Sequence, residues 1–233
     1  MTRLRAALVG CGGVVRRYRK ACARLPGVTE VAAVDQDLNE AQAAARETGA
    51  AHFSSRFEGA FAPGVDVVVI STPNRLHKDH AVAALGAGKH VLLQKPMARS
   101  VEECDAILEA QRGSGTTLGV YMNLLDHPLF RDMRRMLGEG YLGRVALYSA
   151  RLARPRGRPG GISRPGIDKN WRASRVAAGG GSFVQLGVLG VQAFSGTWPA
   201  RNWRETASRS ASMNSKAARS ATGRGQPGVA GKE

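Results

Sequence analysis

Cysteine is scarce in this 233-residue chain, and Cys11, Cys22 and Cys104 form no Cys-x-x-Cys pair. Such spacing offers neither a disulfide framework nor a structural zinc or other metal site, and it suits a reducing, cytoplasmic setting. Long apolar runs are missing as well. No stretch approaches the ~18 apolar residues of a membrane span. The opening MTRLRAALVGCGG leads directly into a strand pattern, so no signal peptide is expected. Acidic residues are few: 18 Asp and Glu stand against 34 Lys and Arg, a net charge of +16. That excess gathers in two places. Residues 151–175 carry eight Arg or Lys against Asp168, and residues 197–233 carry seven against Glu205 and Glu233. Neither place has interleaved aromatics or zinc-ligand spacing, so no specific nucleic-acid partner is expected.

What the chain does have is strand and helix in alternation. Leu4–Val9 is an apolar run followed by Gly10-Cys11-Gly12-Gly13-Val14-Val15 and a helical pattern over Arg16–Leu25. A strand, a glycine turn and a helix N-terminus present backbone N–H groups to a pyrophosphate. Gly10 suits the tight turn and Gly12 a close backbone approach, with Gly13 beside them. Val15 takes the third fingerprint position, where a branched side chain is expected to push the helix off the strand. A second strand over Glu30–Val34 ends in Asp35, about twenty residues past the glycines, as a ribose-binding acid requires. The alternative for Asp35 is to cap the helix Leu38–Thr48. Gln36 follows instead of an Arg or Ser for a 2′-phosphate, which favours NAD over NADP.

Phe57–Phe61 reads as a short helical piece. The stretch from Gly64 to Ala98 then holds two buried-strand runs, Val65–Ile70 and His90–Leu93, joined by about a dozen helical residues, the length of a parallel crossover. Thr72-Pro73-Asn74 follows the first strand and Gln94-Lys95-Pro96 the second, both at carboxyl ends, where open α/β sheets bind ligands. Ser100–Gln111 is a helix with Ser100 and Glu103 spaced as a capping box. Leu118–Tyr121 is the next strand, closing a first domain over residues 1–122. These features predict a doubly wound parallel sheet.

Thr72-Pro73-Asn74, His77, Ala87-Gly88-Lys89-His90-Val91 and Gln94-Lys95-Pro96 together resemble the Gfo/Idh/MocA oxidoreductases, in which the last motif is typically Glu-Lys-Pro. The resemblance implies a Rossmann-type NAD domain followed by an α+β domain with an antiparallel sheet, and a sugar or polyol as the small-molecule substrate. It implies a homo-oligomer in the family, and no membrane. Lys95 becomes the catalytic residue, holding the substrate oxygen. Gly10, Gly12, Gly13, Asp35, Thr72, Pro73, Asn74 and Gln94 become cofactor-side residues. His77 lies one turn from Asn74 and either faces the cofactor or caps the helix. Tyr121 and Asn123 are substrate-side candidates.

Beyond residue 122, a helix is expected over Leu124–Gly138, with Met133 and Met136 in the core, then a strand over Val145–Leu152 and an exposed loop over Arg154–Arg164. Residues 123–196 form the partial second domain. Trp171-Arg172 and Gly179-Gly180-Gly181-Ser182 through Val188 follow the family again, with Gln185 as a further substrate-side candidate. Leu189 stands where the family carries its acid/base His, and Gln192 where it often carries Asp. Leucine cannot move a proton. After Gly196 the resemblance stops. Residues 197–233 lack any strand or helix period and are expected to be disordered.

The family predicts a chain roughly half as long again, so the sequence reads as truncated, with a frame change preferred over a natural basic tail. An NAD-dependent oxidoreductase is the leading reading. A dinucleotide-binding module without turnover and a basic-tail interaction protein are the other two.

Overall fold

The computed structural model describes residues 3–13, 15, 26–122, 127–141, 143 and 175–179. The helix expected over Arg16–Leu25, the antiparallel sheet, the strand Val145–Leu152, the loop Arg154–Arg164 and the segment 197–233 lie outside them. Six strands form one parallel sheet: β1 (Leu4–Val9), β2 (Val28–Val34), β3 (His52–Ser54), β4 (Val67–Ile70), β5 (His90–Gln94) and β6 (Leu118–Tyr121), ordered β3-β2-β1-β4-β5-β6. This is the doubly wound Rossmann order, with its switch point between β1 and β4. Helices α1 (Leu38–Thr48), α2 (His77–Gly86) and α3 (Val101–Ser114) belong to the same unit, as do the 3₁₀ turns Phe57–Phe61 and Asn74–Leu76.

The strands are apolar because the sheet is covered. On one face Val9, Val68, Ile70 and Leu93 pack with Leu85 of α2 and Ile107 of α3, all under 3% exposed. Burying an aliphatic side chain of this size stabilises by ~1.5–3 kcal/mol. Along β2 the faces alternate: Ala32 and Val34 join that core, whereas Ala33 meets Cys11 and the alanines Ala44 and Ala45 of α1. Alanine at those helix positions lets α1 lie close to the strand. Along β5, Val91 and Leu93 are buried but His90 and Leu92 are exposed, so the run expected to be buried is covered on one face. The reason lies in the helices: α2 and α3 both pack on the Val91–Leu93 side.

Several boundaries move for hydrogen-bonding reasons. β2 begins at Val28, two residues early, because Leu4 pairs with it. β4 begins at Val67 because Val65 spends its N–H on the Ala62 carbonyl in the preceding turn. Ser100 caps α3 as expected, its hydroxyl accepting from the Glu103 N–H. Glu103 reaches back to the N–H of Arg99, one residue before the cap, so the box closes one position upstream.

The second unit contains α4 (Pro128–Gly138), capped by the His127 ring, which accepts from the Leu129 N–H. The helix starts with Pro128 at its first position, where the missing N–H costs nothing. Met133 and Met136, expected in the core, are only half-buried, and Leu129 is exposed. Helical periodicity identified the helix but could not say how deeply its apolar stripe is covered.

Candidate functional site at the carboxyl edge

The carboxyl ends of β1, β4 and β5 are consecutive, and three loops leave them. Gly10 follows β1 at φ +84°, a conformation open to glycine. A Cβ there would lie 2.8 Å from the backbone of Ser71 and 2.9 Å from the Thr72 nitrogen. The β1 and β4 loops therefore touch backbone to backbone at the switch point. Gly10 also donates its N–H to the Val34 carbonyl at 2.8 Å, which joins the turn to β2. Gly12 is half-buried, and Gly13 is exposed with open space where a Cβ would stand. Val15 is fully buried.

Asp35 lies at the end of β2, 6% exposed. One carboxylate oxygen accepts from the Cys11 N–H at 2.7 Å and the other from the Asp37 N–H at 3.0 Å. The acid thus ties the glycine loop to the β2 end. It does not cap α1: that cap is Asp37, whose side chain accepts from the Asn39 N–H. The helix-cap alternative for Asp35 is corrected to its neighbour two residues on.

The β4 and β5 turns are held together by His77. This side chain is fully buried, with Nε2 2.9 Å from the Thr72 carbonyl and Nδ1 2.9 Å from the Pro96 carbonyl. Burial pushes its pKa below the ordinary histidine value, and the facing carbonyls work against that shift. A neutral imidazole donates from one nitrogen only, so it satisfies one carbonyl fully at a time. The ring does not cap α2, which has no side-chain cap. It lies between two loops, a position the sequence did not reveal.

Asn74 likewise bonds to backbone far along the chain. It is 2% exposed, and its side-chain amide donates to the Ala178 carbonyl at 3.0 Å. Its partner belongs to α5 (Arg175–Ala178), a single turn. Pro73 precedes the 3₁₀ turn Asn74–Leu76 in extended geometry, as proline at that position allows. Thr72 Oγ1 is 3.3 Å from His80 Nδ1.

His80 went unnoticed in the sequence. Its ring stacks on Phe57 with centroids 4.0 Å apart and planes 6° from parallel. Burial, assisted by the neighbouring His77 and Arg75 and opposed by Asp79, holds it down to about 4. His77 and His80, three apart, share a helix face. That spacing was the available signal; the Phe57 contact was not legible.

Lys95 follows β5, half-buried, with a cis peptide bond to Pro96. Its N–H donates to the Gln94 side-chain oxygen at 2.9 Å. Gln94 pairs in register with Tyr121 at the end of β6, which is half-buried. Asn123, Gln185, Leu189 and Gln192 lie outside the described residues. Among the described residues, no group of three His, Cys, Asp or Glu is arranged to hold a metal, and no helix is long and apolar enough to cross a membrane.

The residues present suit a dinucleotide. The switch point sits beside a glycine turn, and a buried acid ends β2. Comparison with known proteins agrees. Residues 4–122 match the family model described as an oxidoreductase family with an NAD-binding Rossmann fold. A 1,5-anhydro-D-fructose reductase from Ensifer adhaerens is 31% identical over 185 residues, which is 79% of this chain and 53% of that protein. The WlbA dehydrogenase of Bordetella pertussis, solved with NADH and UDP-GlcNAcA, is 28% identical with a TM-score of 0.58, over 61% of this chain and 42% of that one. A mutant 3-ketoreductase from Actinomadura kijaniata, solved with TDP-benzene and NADP, is 25% identical with a TM-score of 0.69, over 80% of this chain and 55% of that one. The chain spans about half the length of these relatives. It belongs to the Gfo/Idh/MocA oxidoreductase family, whose NAD-binding Rossmann fold its first unit adopts.

Proposed function

We propose that this chain binds NAD across the β1–β4 switch point and oxidises or reduces a carbinol or keto carbon of a sugar or polyol. The observation that carries this reading is the convergence of the Gly10 turn, the Thr72–Asn74 turn and Lys95 on the ends of three adjacent strands. Adjacent strands lie about 4.8 Å apart, so Lys95 stands roughly 10 Å across the sheet from the glycine turn. A nicotinamide, when bound, supplies a hydride acceptor or donor.

The chain's own residues do the rest. Gly10, Gly12 and Gly13 admit the pyrophosphate close to the backbone. Asp35 takes a ribose hydroxyl, from its place at the end of β2 beside the glycine loop it ties. With Gln36 rather than a cation beside it, the 2′-phosphate of NADP meets an acid, which supports NAD. The turn of Thr72, Pro73 and Asn74 walls the cofactor, and the side chain of Gln94 steadies the Lys95 backbone. The Lys95 ammonium donates to the substrate oxygen and stabilises its charge as the C–H bond breaks or forms. In the oxidation direction the hydroxyl proton leaves to solvent, since Leu189 cannot take it. Tyr121 lines the substrate side, with Asn123 and Gln185 as further candidates.

Fluorescence titration with NADH, followed by a panel of sugars and polyols with NAD, tests this. Lys95→Ala is expected to lower turnover by ~10²-fold or more while NADH affinity stays within a few-fold. Absence of NADH binding overturns the reading. Binding without turnover of any substrate marks a dinucleotide-binding module.

A further inference from the structure

Three separate contacts converge on residues 175–179. The buried Asn74 amide donates to the Ala178 carbonyl at 3.0 Å. Arg99, four residues past Lys95, donates from Nη1 to the Val176 carbonyl at 2.8 Å. Gly179, at φ +85°, sits so close to Arg99 that a Cβ would lie 2.9 Å from its Cα and its carbonyl oxygen. A one-turn helix cannot hold itself, and Val176 is exposed, so apolar burial of that side chain does not hold it either. Its carbonyls, orphaned at a helix end, are instead taken by donors from the two turns that rim the dinucleotide site. Arg99 is itself set by Glu103, whose carboxylate accepts from the Arg99 guanidinium and the Arg99 N–H.

We propose that Asn74 and Arg99 are positioning residues that clamp the 175–179 segment to the β4 and β5 turns, so that this segment takes its place from the order of those turns. The transmission rests on the dinucleotide reading above; the clamp does not. The two turns already meet at His77, whose ring lies 2.9 Å from a carbonyl of each. Ordering either one by a bound dinucleotide therefore tightens the carbonyl partners on Val176 and Ala178.

Amide hydrogen exchange on the full chain tests the clamp directly. Asn74→Asp keeps the shape but replaces a donor by an acceptor facing a carbonyl. It should speed exchange at residues 176–179 by about tenfold, one buried hydrogen bond's effect, with the strands β1 and β4 unchanged. Arg99→Ala, at a half-buried position away from the core, should do the same, and Arg99→Lys should restore much of the protection. Unchanged exchange in both Asn74→Asp and Arg99→Ala overturns the clamp, as does uniform acceleration across the sheet. In the parent chain, saturating NADH should slow exchange at 176–179. NADH that binds and leaves those amides unchanged overturns the transmission alone. NADH that fails to bind overturns the dinucleotide reading and the transmission with it, while the unliganded variants still decide the clamp.

Discussion

The two edges of the sheet are fastened by different chemistry. At the amino edge, Arg5 meets Asp66 through its guanidinium at 3.1 Å and its backbone N–H at 2.8 Å, and Lys89 donates to the Val65 carbonyl at 2.8 Å. These are long charged side chains, and the Arg5–Asp66 pair is largely in contact with water. At the carboxyl edge the fasteners are Asp35, Asn74 and His77, each nearly or fully inaccessible and each bonded to backbone of another loop. An exposed ion pair gives a little stability, is screened by salt and tolerates movement. A buried side chain bonded to a carbonyl or N–H fixes a loop in one place, because breaking the bond strands a polar group away from water. The carboxyl edge, where the candidate site lies, uses the second kind. The difference teaches where this fold spends its rigidity.

Changes at the two edges should therefore differ in size. The largest effect is expected from Gly10→Ala, which places a methyl group against the Ser71 backbone and forces alanine into a left-handed conformation. Strain and overpacking together should cost roughly 2–6 kcal/mol in urea unfolding. A loss below about 1 kcal/mol would mean the β1 and β4 loops separate freely, and the contrast between edges would fail.

Acid should separate the edges next. His77 and His80 have native pKa values below the ordinary 6.5, His80 at about 4. In the unfolded chain they bind protons more readily, so their contribution is intact above about 6.5 and is lost as the pH falls from there toward 4. Asp66, held below the usual carboxylate value of 3.8 by its hydrogen bonds and charge contact with Arg5, loses its contribution only as the pH falls from that range downward. Thermal melts between pH 7 and pH 4.5 should fall in the parent, and His80→Gln should flatten part of that slope. An unchanged slope would remove His80 from the account.

The smallest effect is expected from Asp66→Asn at the amino edge. The melting temperature should move little, and raising the salt to about 1 M should erase most of the difference. A loss as large as that of Gly10→Ala would show that the two edges are equally demanding.

Much of this was legible because it depends on local order. Apolar runs at strand length, glycine after β1, Ser100 ahead of α3 and Phe57–Phe61 as a turn all follow from propensity and spacing. So did the family, since the Thr-Pro-Asn, Ala-Gly-Lys-His and Lys-Pro motifs occur at fixed separations. The candidate site was legible only as a set of residue types. That Lys95 and the glycine turn stand at the same edge of the sheet follows from the parallel order, which alternation of strand and helix predicts.

Partners across long separations were not legible. Asn74 and Ala178 are 104 positions apart, and His77 chooses between facing a cleft and bridging two carbonyls by the packing of β4 against β5. Neither choice leaves a local trace, because a hydrogen bond depends on an ångström-scale meeting of groups and not on their order in the chain. The amino-acid sequence by itself determined β1, β2, β4, β5 and β6, the helices α1 to α4, their parallel arrangement and the family, whereas the short strand β3 and the single turn α5 came only from the fold. Tertiary structure alone decided that Asp35 binds the glycine loop while Asp37 caps the helix, and that Asn74 and His77 serve as ties between loops. It decided so because burial removes water as the alternative partner and leaves each polar group with whichever backbone the fold brings within reach.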